Sequence, residues 1–315
     1  MVSEPVMAAI LEPAPPDPCV AVSGEIGTVN SPVYTATPTT NLKTELRLTD
    51  YLDEGGNISP LGIDELHKAI ADALVHAKEF KTEEIVAFAT SAIREATNGA
   101  QVIKEITERH NIELQILNGN EEASMTFLAA RRWLGWSSGR LLILDIGGGS
   151  LEMAVGDDEY PEEALSLPLG AARLTRQFLQ SDPYTSKEIK KLEEFVHQSL
   201  SSSLTPALAE HRADQFVATS KTFRTLARLN EFWFKDNPKK LNISSLEKAI
   251  PKLLAMTNKE RAELPGVSSN RALQIVAGAI VAYSTLSKLE LDEVEICPWA
   301  LREGIVLKWL DWMKI

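Results

Sequence analysis

Behind Ser59-Pro60, the residues Ile63, Leu66, Ile70, Leu74, Ala77 and Phe80 recur at helical spacing, which predicts an amphipathic helix with a serine N-cap and proline in its first turn. An apolar run at 85–89 then predicts a buried strand. It is followed by a helix around 100–109, a strand at 113–117, and a helix around 121–134 that Gly135 ends. Residues 141–146 form an almost unbroken apolar run into Gly147-Gly148-Gly149, and 151–155 is apolar again, so a glycine turn joins two strands. A strand at 164–169 follows. From Tyr184 to about Leu200 the pattern is a polar amphipathic helix with Ile189, Leu192, Phe195, Val196 and Ser199 along one side. Residues 214–219 predict a strand running into a helix from near Thr222. The stretch 238–269 is looser, with Pro251 kinking or ending a helix. Helices at 272–289 and 300–313 flank a strand at 294–297 that Pro298 breaks. This alternation is the pattern of an α/β protein.

The first forty-odd residues read differently. Pro13, Pro15, Pro16 and Pro18 interrupt them, short strands are hinted at 7–11 and 19–23, and 46–48 reads as a strand end. At roughly 150 residues per domain, 315 residues make about two domains. We place them at 1–120 and 121–315, with the last helix packing back on the first domain.

Composition narrows the function. Thirty-two Lys and Arg against 44 Asp and Glu leave a net charge of −12, which argues against general binding of nucleic acid or of an acidic membrane. The longest strongly apolar stretch, 275–283, is far short of the roughly 18 residues that span a bilayer. Cys19 and Cys297 form no disulfide framework and no zinc-site spacing, and no Lys or Arg precedes Lys43 to make a secretory n-region. A cytoplasmic protein is expected.

The candidate chemistry concerns phosphate. In Asp145-Ile146-Gly147-Gly148-Gly149-Ser150-Leu151-Glu152, three glycines let backbone amides approach an anion with no Cβ in the way. A hairpin across them returns Glu152 toward Asp145, and two hard carboxylates there suit Mg²⁺ against phosphate oxygens, or the segment is an ordinary glycine-rich turn with two solvated acids. Thr90-Ser91-Ala92-Ile93-Arg94 follows a strand, where hydroxyls and a guanidinium meet anions in α/β folds, or where Arg94 simply pairs with Glu95 or Glu84. Glu121 and Glu122 open a helix, where one carboxylate can accept a proton from water, or both can serve the helix dipole. Thr219-Ser220-Lys221 opens another helix with hydroxyls, amides and an ammonium group; anion binding and plain capping both fit. Arg131, Arg132, Arg224 and Arg228 add a candidate positive channel or a solvated helix surface.

Taken in order, residues 89–98, the turn at 118–123, the segment 145–152 and Trp299-Ala300-Leu301-Arg302-Glu303-Gly304 resemble the exopolyphosphatase / guanosine pentaphosphate phosphohydrolase family, closest to its short two-domain actinobacterial members. The resemblance implies two ribonuclease-H-like α/β domains of the actin/sugar-kinase/Hsp70-like kind, with a phosphate-binding cleft between them. It implies hydrolysis of a terminal phosphoanhydride of polyphosphate or guanosine pentaphosphate, dependent on Mg²⁺ or Mn²⁺, and a homodimer. Glu122 matches the general base, and Asp145 and Glu152 the acids associated with metal and catalysis. Gly147, Gly148, Gly149 and Ser150 match a phosphate loop, and Arg94 with Ser91 the arginine turn that contacts phosphate.

Two departures stand out. The family opens with a D-x-G-[ST]-N-[ST] loop, matched here only by Glu25-Ile26-Gly27-Thr28-Val29-Asn30, and Ala218 replaces the usual glycine before Thr219-Ser220. A methyl group at 218 is expected to crowd a phosphate or nucleotide. The alternative function is therefore a catalytically impaired protein that still senses polyphosphate or a guanosine nucleotide.

Overall fold

The computed structural model describes residues 7–10, 46, 48–80, 82 and 85–313. The first half contains β1 (Met7–Ile10), a 3-10 turn (Leu48–Tyr51), α1 (Pro60–Glu79), β2 (Ile85–Ala89), α2 (Ser91–Arg94), α3 (Gly99–His110), β3 (Leu114–Ile116) and α4 (Gly119–Leu134). Then come β4 (Leu141–Ile146), β5 (Leu151–Gly156), β6 (Glu163–Leu167), α5 (Ala171–Phe178), α6 (Ser186–Ser203), α7 (Pro206–Ala209) and β7 (Gln215–Ala218). The chain ends with α8 (Ser220–Phe234), β8 (Lys240–Asn242), α9 (Ile243–Leu254), α10 (Asn258–Ala262), α11 (Ser269–Ala272), α12 (Ile275–Lys288), β9 (Glu293–Ile296) and α13 (Leu301–Met313).

Most of these follow the sequence pattern, and α1 begins as expected, with the Ser59 hydroxyl accepting from the Gly62 amide at 3.3 Å. Three expectations are corrected. Leu48 opens a 3-10 turn instead of ending a strand, because Leu46 and Leu48 both bury into the first core. Residues 240–262 are regular: α9 runs through Pro251, since the Asn242 side chain caps it and Leu246, Ala249 and Leu253 bury its inner face. Those contacts offset the proline near its last turn. The helix expected at 272–289 divides into α11 and α12, because Arg261 takes the Ala272 carbonyl (3.3 Å) and the Tyr184 hydroxyl takes that of Leu273 (2.7 Å), diverting both from the helical ladder. The hint of a strand at 19–23 lies outside the described residues.

Among the described residues there are two sheets. The first has the order β1-β2-β3, with β1 antiparallel to β2 and β2 parallel to β3. Its core gathers Leu66, Ile70, Ile93, Val102 and Ile106. The second has the order β6-β5-β4-β7-β9-β8. Its strands β4 and β5 are buried on both faces, as their unbroken apolar runs require. One face, with Leu142, Leu144, Met153 and Ala218, meets a large core that includes residues of α5, α6, α8, α9 and α12. The other, with Leu141, Ile143, Ala154 and Val217, packs under Ala123, Phe127 and Ala130 of α4. Cys297 joins that second core, and burial pushes its thiol up to about 12. No helix among the described residues is long and apolar enough to cross a membrane.

Helix α13 crosses α4 where Gly304 meets the backbone of Met125. A Cβ on Gly304 would lie 1.8 Å from the Met125 carbonyl oxygen, so the crossing admits no side chain. We expect Gly304→Ala to lower stability by about 1–3 kcal/mol, the usual cost of overpacking; an unchanged thermal midpoint would show that α13 does not contribute to cooperative folding.

Between α1 and α3, His67 Nδ1 and His110 Nε2 are 2.9 Å apart, and one ring must donate to the other. Burial holds both imidazoles below their ordinary pKa of 6.5; Arg109 deepens the shift for each, while Glu105 and Asp64 oppose it for His67. Since the folded protein resists protonation, this contribution is complete above about pH 6.5 and fades as pH falls below it. Thermal midpoints measured from pH 8 to 5 should therefore drop on the acid side, and His110→Gln should flatten that drop.

Candidate active site

Strand periodicity and register assemble the site. Side chains alternate across a strand, so Asp145 shares the α4 face with Leu141 and Ile143, and Glu152 shares it with Ala154. Asp145 pairs with Glu152 across β4 and β5, and Glu152 with Ser166 across β5 and β6. Thr219, just beyond β7, continues the row, its amide bonded to the Leu144 carbonyl at 2.9 Å. Ser166, Glu152, Asp145 and Thr219 thus form a polar line at one end of the sheet face that carries Leu141, Ile143, Ala154 and Val217. The Ser166 hydroxyl donates to Glu152 Oε1 at 2.9 Å, and the Thr219 hydroxyl donates to Asp145 Oδ2.

Helix α4 starts directly above this line. Its first turn is fixed by a capping box: the Asn118 side chain accepts from the Glu121 amide (3.0 Å), and Glu121 accepts from the Asn118 amide (2.7 Å). The two adjacent glutamates therefore divide their roles, Glu121 closing the helix end while Glu122 points inward and is buried. Gly119 is required here because a Cβ would lie 2.3 Å from that of Ser166. Arg94 forms an ion pair with Glu122 and donates to the Leu117 carbonyl at 2.6 Å, tying the turn after β2 to the start of α4.

Burial and like charge dominate the electrostatics. Loss of hydration, reinforced by the neighbouring Glu122 and Asp145 carboxylates, raises the pKa of Glu152 well above the carboxylate range, and the hydroxyls of Ser150 and Ser166 offset this only in part. Among the described residues no three His, Cys, Asp or Glu are arranged to hold a metal by themselves. Asp145 and Glu152 offer two adjacent carboxylates, which suits Mg²⁺: it is commonly bound by one or two carboxylates, with substrate phosphates and water completing its shell. A divalent cation would also discharge the repulsion around Glu152, so the residues present fit such an ion.

The glycine turn is held from behind. Gly147 closes the hairpin on the Ser150 carbonyl at 2.9 Å. The first amides of α5 take the loop's carbonyls, Ala171 that of Gly147 and Ala172 and Arg173 that of Gly148, each at 3.0 Å. With its carbonyls occupied, the loop has the Gly148 and Gly149 amides left to donate; among the described residues they have no acceptor. Gly170 and Gly149 permit the close fit. A Cβ on Gly170 would lie 2.2 Å from the Gly149 carbonyl carbon, and one on Gly149 would lie 2.4 Å from the Ser91 hydroxyl.

Glu122, Asp145, Glu152, Ser91, Arg94, Gly147, Gly148, Gly149 and Ser150 thus converge. Thr219, expected to meet phosphate, is fully buried in this structure, its amide bonded to the Leu144 carbonyl and its hydroxyl donating to Asp145. Ser220 adopts φ +71°, a left-handed conformation that costs a non-glycine residue roughly 1–3 kcal/mol, and its hydroxyl accepts from the Phe223 amide at 3.5 Å. Lys221 is exposed beside it. The Ala218 methyl does not crowd the site, because it projects into the opposite core. Arg131 and Arg132 line no channel: Arg131 is buried against the carbonyls of Gly139 and Gly156, and Arg132 pairs with Glu159 and Asp311. The loop at 25–30 lies outside the described residues. Sequence reading missed Ser166, Gly170 and Arg173. Ser166 could have been found only from strand register, whereas Gly170 and Arg173 sit at a helix start after a strand, a recognisable anion-site position.

Comparison with known proteins places the chain in a family. The model of the Ppx/GppA phosphatase family matches residues 31–313. The chain is 44% identical over 279 residues to an Exopolyphosphatase 1 of Mycobacterium leprae, covering 87% of this chain and 82% of that protein. The Exopolyphosphatase 1 of Mycobacterium tuberculosis is 45% identical, with 87% and 81% covered. Among solved structures, a Ppx/GppA family member from Aquifex aeolicus superposes with a TM-score of 0.71 at 27% identity, covering 85% of this chain and 87% of its own. The chain belongs to the Ppx/GppA phosphatase family, and with it shares the actin-like, ribonuclease-H-like fold and the chemistry of a phosphoanhydride hydrolase.

Proposed function

We propose that this protein is an exopolyphosphatase, a cytoplasmic enzyme that removes terminal orthophosphate from inorganic polyphosphate in a reaction dependent on Mg²⁺ or Mn²⁺, with guanosine pentaphosphate as the second candidate substrate. The observation that carries the reading is the meeting of Glu122, the Asp145–Glu152 pair and the open Gly148 and Gly149 amides at one point.

In this reading the glycine-loop amides and Arg94 bind the terminal phosphate and carry charge that develops on its oxygens. A substrate phosphate competes with Glu122 for Arg94, so binding shifts the guanidinium toward phosphate and leaves the Glu122 carboxylate to orient water and accept its proton. Thr219 and Ser166 hold the neighbouring acids in place. Ppx/GppA phosphatases generally use divalent metal ions. Held by Asp145 and Glu152, such an ion supplies positive charge against phosphate oxygens.

The first test is orthophosphate release from long-chain polyphosphate, with guanosine pentaphosphate in parallel, at millimolar Mg²⁺. Glu122→Gln should cut turnover by roughly 10²–10⁴-fold and leave substrate binding largely intact; unchanged turnover would remove Glu122 from the mechanism. Substrate-induced stabilisation without release from either substrate would favour the sensor reading suggested by the divergent segment at 25–30.

Thr219→Val keeps the branched shape but deletes the hydroxyl that Asp145 accepts. It should raise the Mg²⁺ concentration for half-maximal activity several-fold, with Thr219→Ser close to the parent protein. A metal titration unmoved by both substitutions would show that Thr219 does not act through Asp145.

A further inference from the structure

Arg173 lies on α5 and binds the glycine loop twice. Its amide takes the Gly148 carbonyl, and its side-chain Nε donates to the Gly149 carbonyl at 2.8 Å. The same guanidinium then reaches the other sheet's elements and pairs with Glu95, the residue after α2. Glu95 in turn faces Arg94 at 3.7 Å, and Arg94 pairs with Glu122. The result is a chain of alternating charge, Glu122, Arg94, Glu95, Arg173, that ends on the backbone of the loop. Beside it Gly149 lies so close to Ser91 that no side chain could intervene.

Two segments from different sheets must therefore be held at one separation for both to grip the same phosphate. The Ser91–Arg94 turn follows β2 of the first sheet, and the 147–150 loop joins β4 and β5 of the second. Apart from Arg94–Glu122, the ion pair among the described residues that joins these two neighbourhoods is Glu95–Arg173. Both side chains are partly exposed, 42% for Glu95 and 30% for Arg173, so the pair is a weak, reversible tie.

We propose that Glu95 and Arg173 are positioning residues whose ion pair sets the spacing between the Ser91–Arg94 turn and the Gly147–Ser150 loop before substrate enters. This rests on the reading of those two segments as phosphate ligands. The tie acts on substrate affinity, because a site whose halves are correctly spaced only part of the time binds more weakly by that fraction.

The experiment compares Glu95→Gln, Arg173→Met and the double variant by KM and kcat for orthophosphate release. It also follows backbone hydrogen exchange of residues 90–95 and 147–150 without substrate. Glu95→Gln should raise KM roughly two- to fivefold, the scale of an exposed ion pair, with kcat little changed. Arg173→Met should raise it further, because the anchor on Gly149 goes too. The double variant should fall well short of the product of the two single effects, since Arg173→Met already removes the partner that Glu95 meets and leaves it only the 3.7 Å contact with Arg94. Both segments should exchange faster in either single variant. A fall in KM for Glu95→Gln would overturn the proposal, showing that Glu95 masks Arg173 as a direct phosphate ligand. Independent, multiplying effects in the double variant would overturn it as well. If the parent protein releases no orthophosphate, the hydrolase reading fails by itself. Hydrogen exchange then still decides the tie, and unchanged exchange in Glu95→Gln, a substitution at a solvent-facing side chain, would reject it.

Discussion

Mutual repulsion among Glu122, Asp145 and Glu152 is the constraint around which the site is organised. Carboxylates at close range in and beside a core cannot all keep their charge without help: burial first, and then the neighbouring Glu122 and Asp145, raise the pKa of Glu152. Each nearby feature answers part of it. Arg94 neutralises Glu122, Thr219 donates to Asp145, and Ser150 and Ser166 donate to Glu152. The remaining demand for positive charge is one that a divalent cation would satisfy. An acid cluster of this kind is a poor choice for stability alone and a good one for phosphate chemistry.

The scaffold makes the cluster possible by placing it at the end of β4 and β5, which are otherwise apolar and buried on both faces. Leu141, Ile143, Ala154 and Val217 lock β4, β5 and β7 under α4, so the polar row one residue further along has little freedom to relax. The capping box at Asn118 and the bare approach of Gly119 to Ser166 set α4 above that row. Behind the glycine loop, α5 absorbs the carbonyls, and among the described residues the Gly148 and Gly149 amides have no acceptor. Packing and hydrogen bonding thus fix the direction of each group before any ligand is present, which is the source of electrostatic preorganisation.

Strain gathers at the same place. Ser220 holds a left-handed backbone conformation at the start of α8, immediately after the buried Thr219 that steadies Asp145. Strong packing by Phe223 and Leu226 keeps that helix in position against the cost. Local backbone preference yields to tertiary packing there, as it does at Pro251 within α9 and at the break between α11 and α12.

Much was legible in the chain itself. Runs such as Leu141–Ile146 announce strands buried on both sides, three consecutive glycines announce a tight turn between two strands, and the paired spacing of Asp145 and Glu152 across them foretells two carboxylates on one face. These are local signals, carried by side-chain periodicity and by the absence of Cβ atoms, so the order of residues alone determined them. Tertiary structure decided the rest. Only register brings Ser166 beside Glu152, only burial separates Glu122 from Glu121, and only the fold turns Thr219 from phosphate toward Asp145 while sending the Ala218 methyl into the opposite core. The tie from Arg173 to Glu95 joins residues 78 positions apart. No periodicity encodes such a contact, because it depends on how two sheets meet, and that meeting is settled by the packing of whole surfaces.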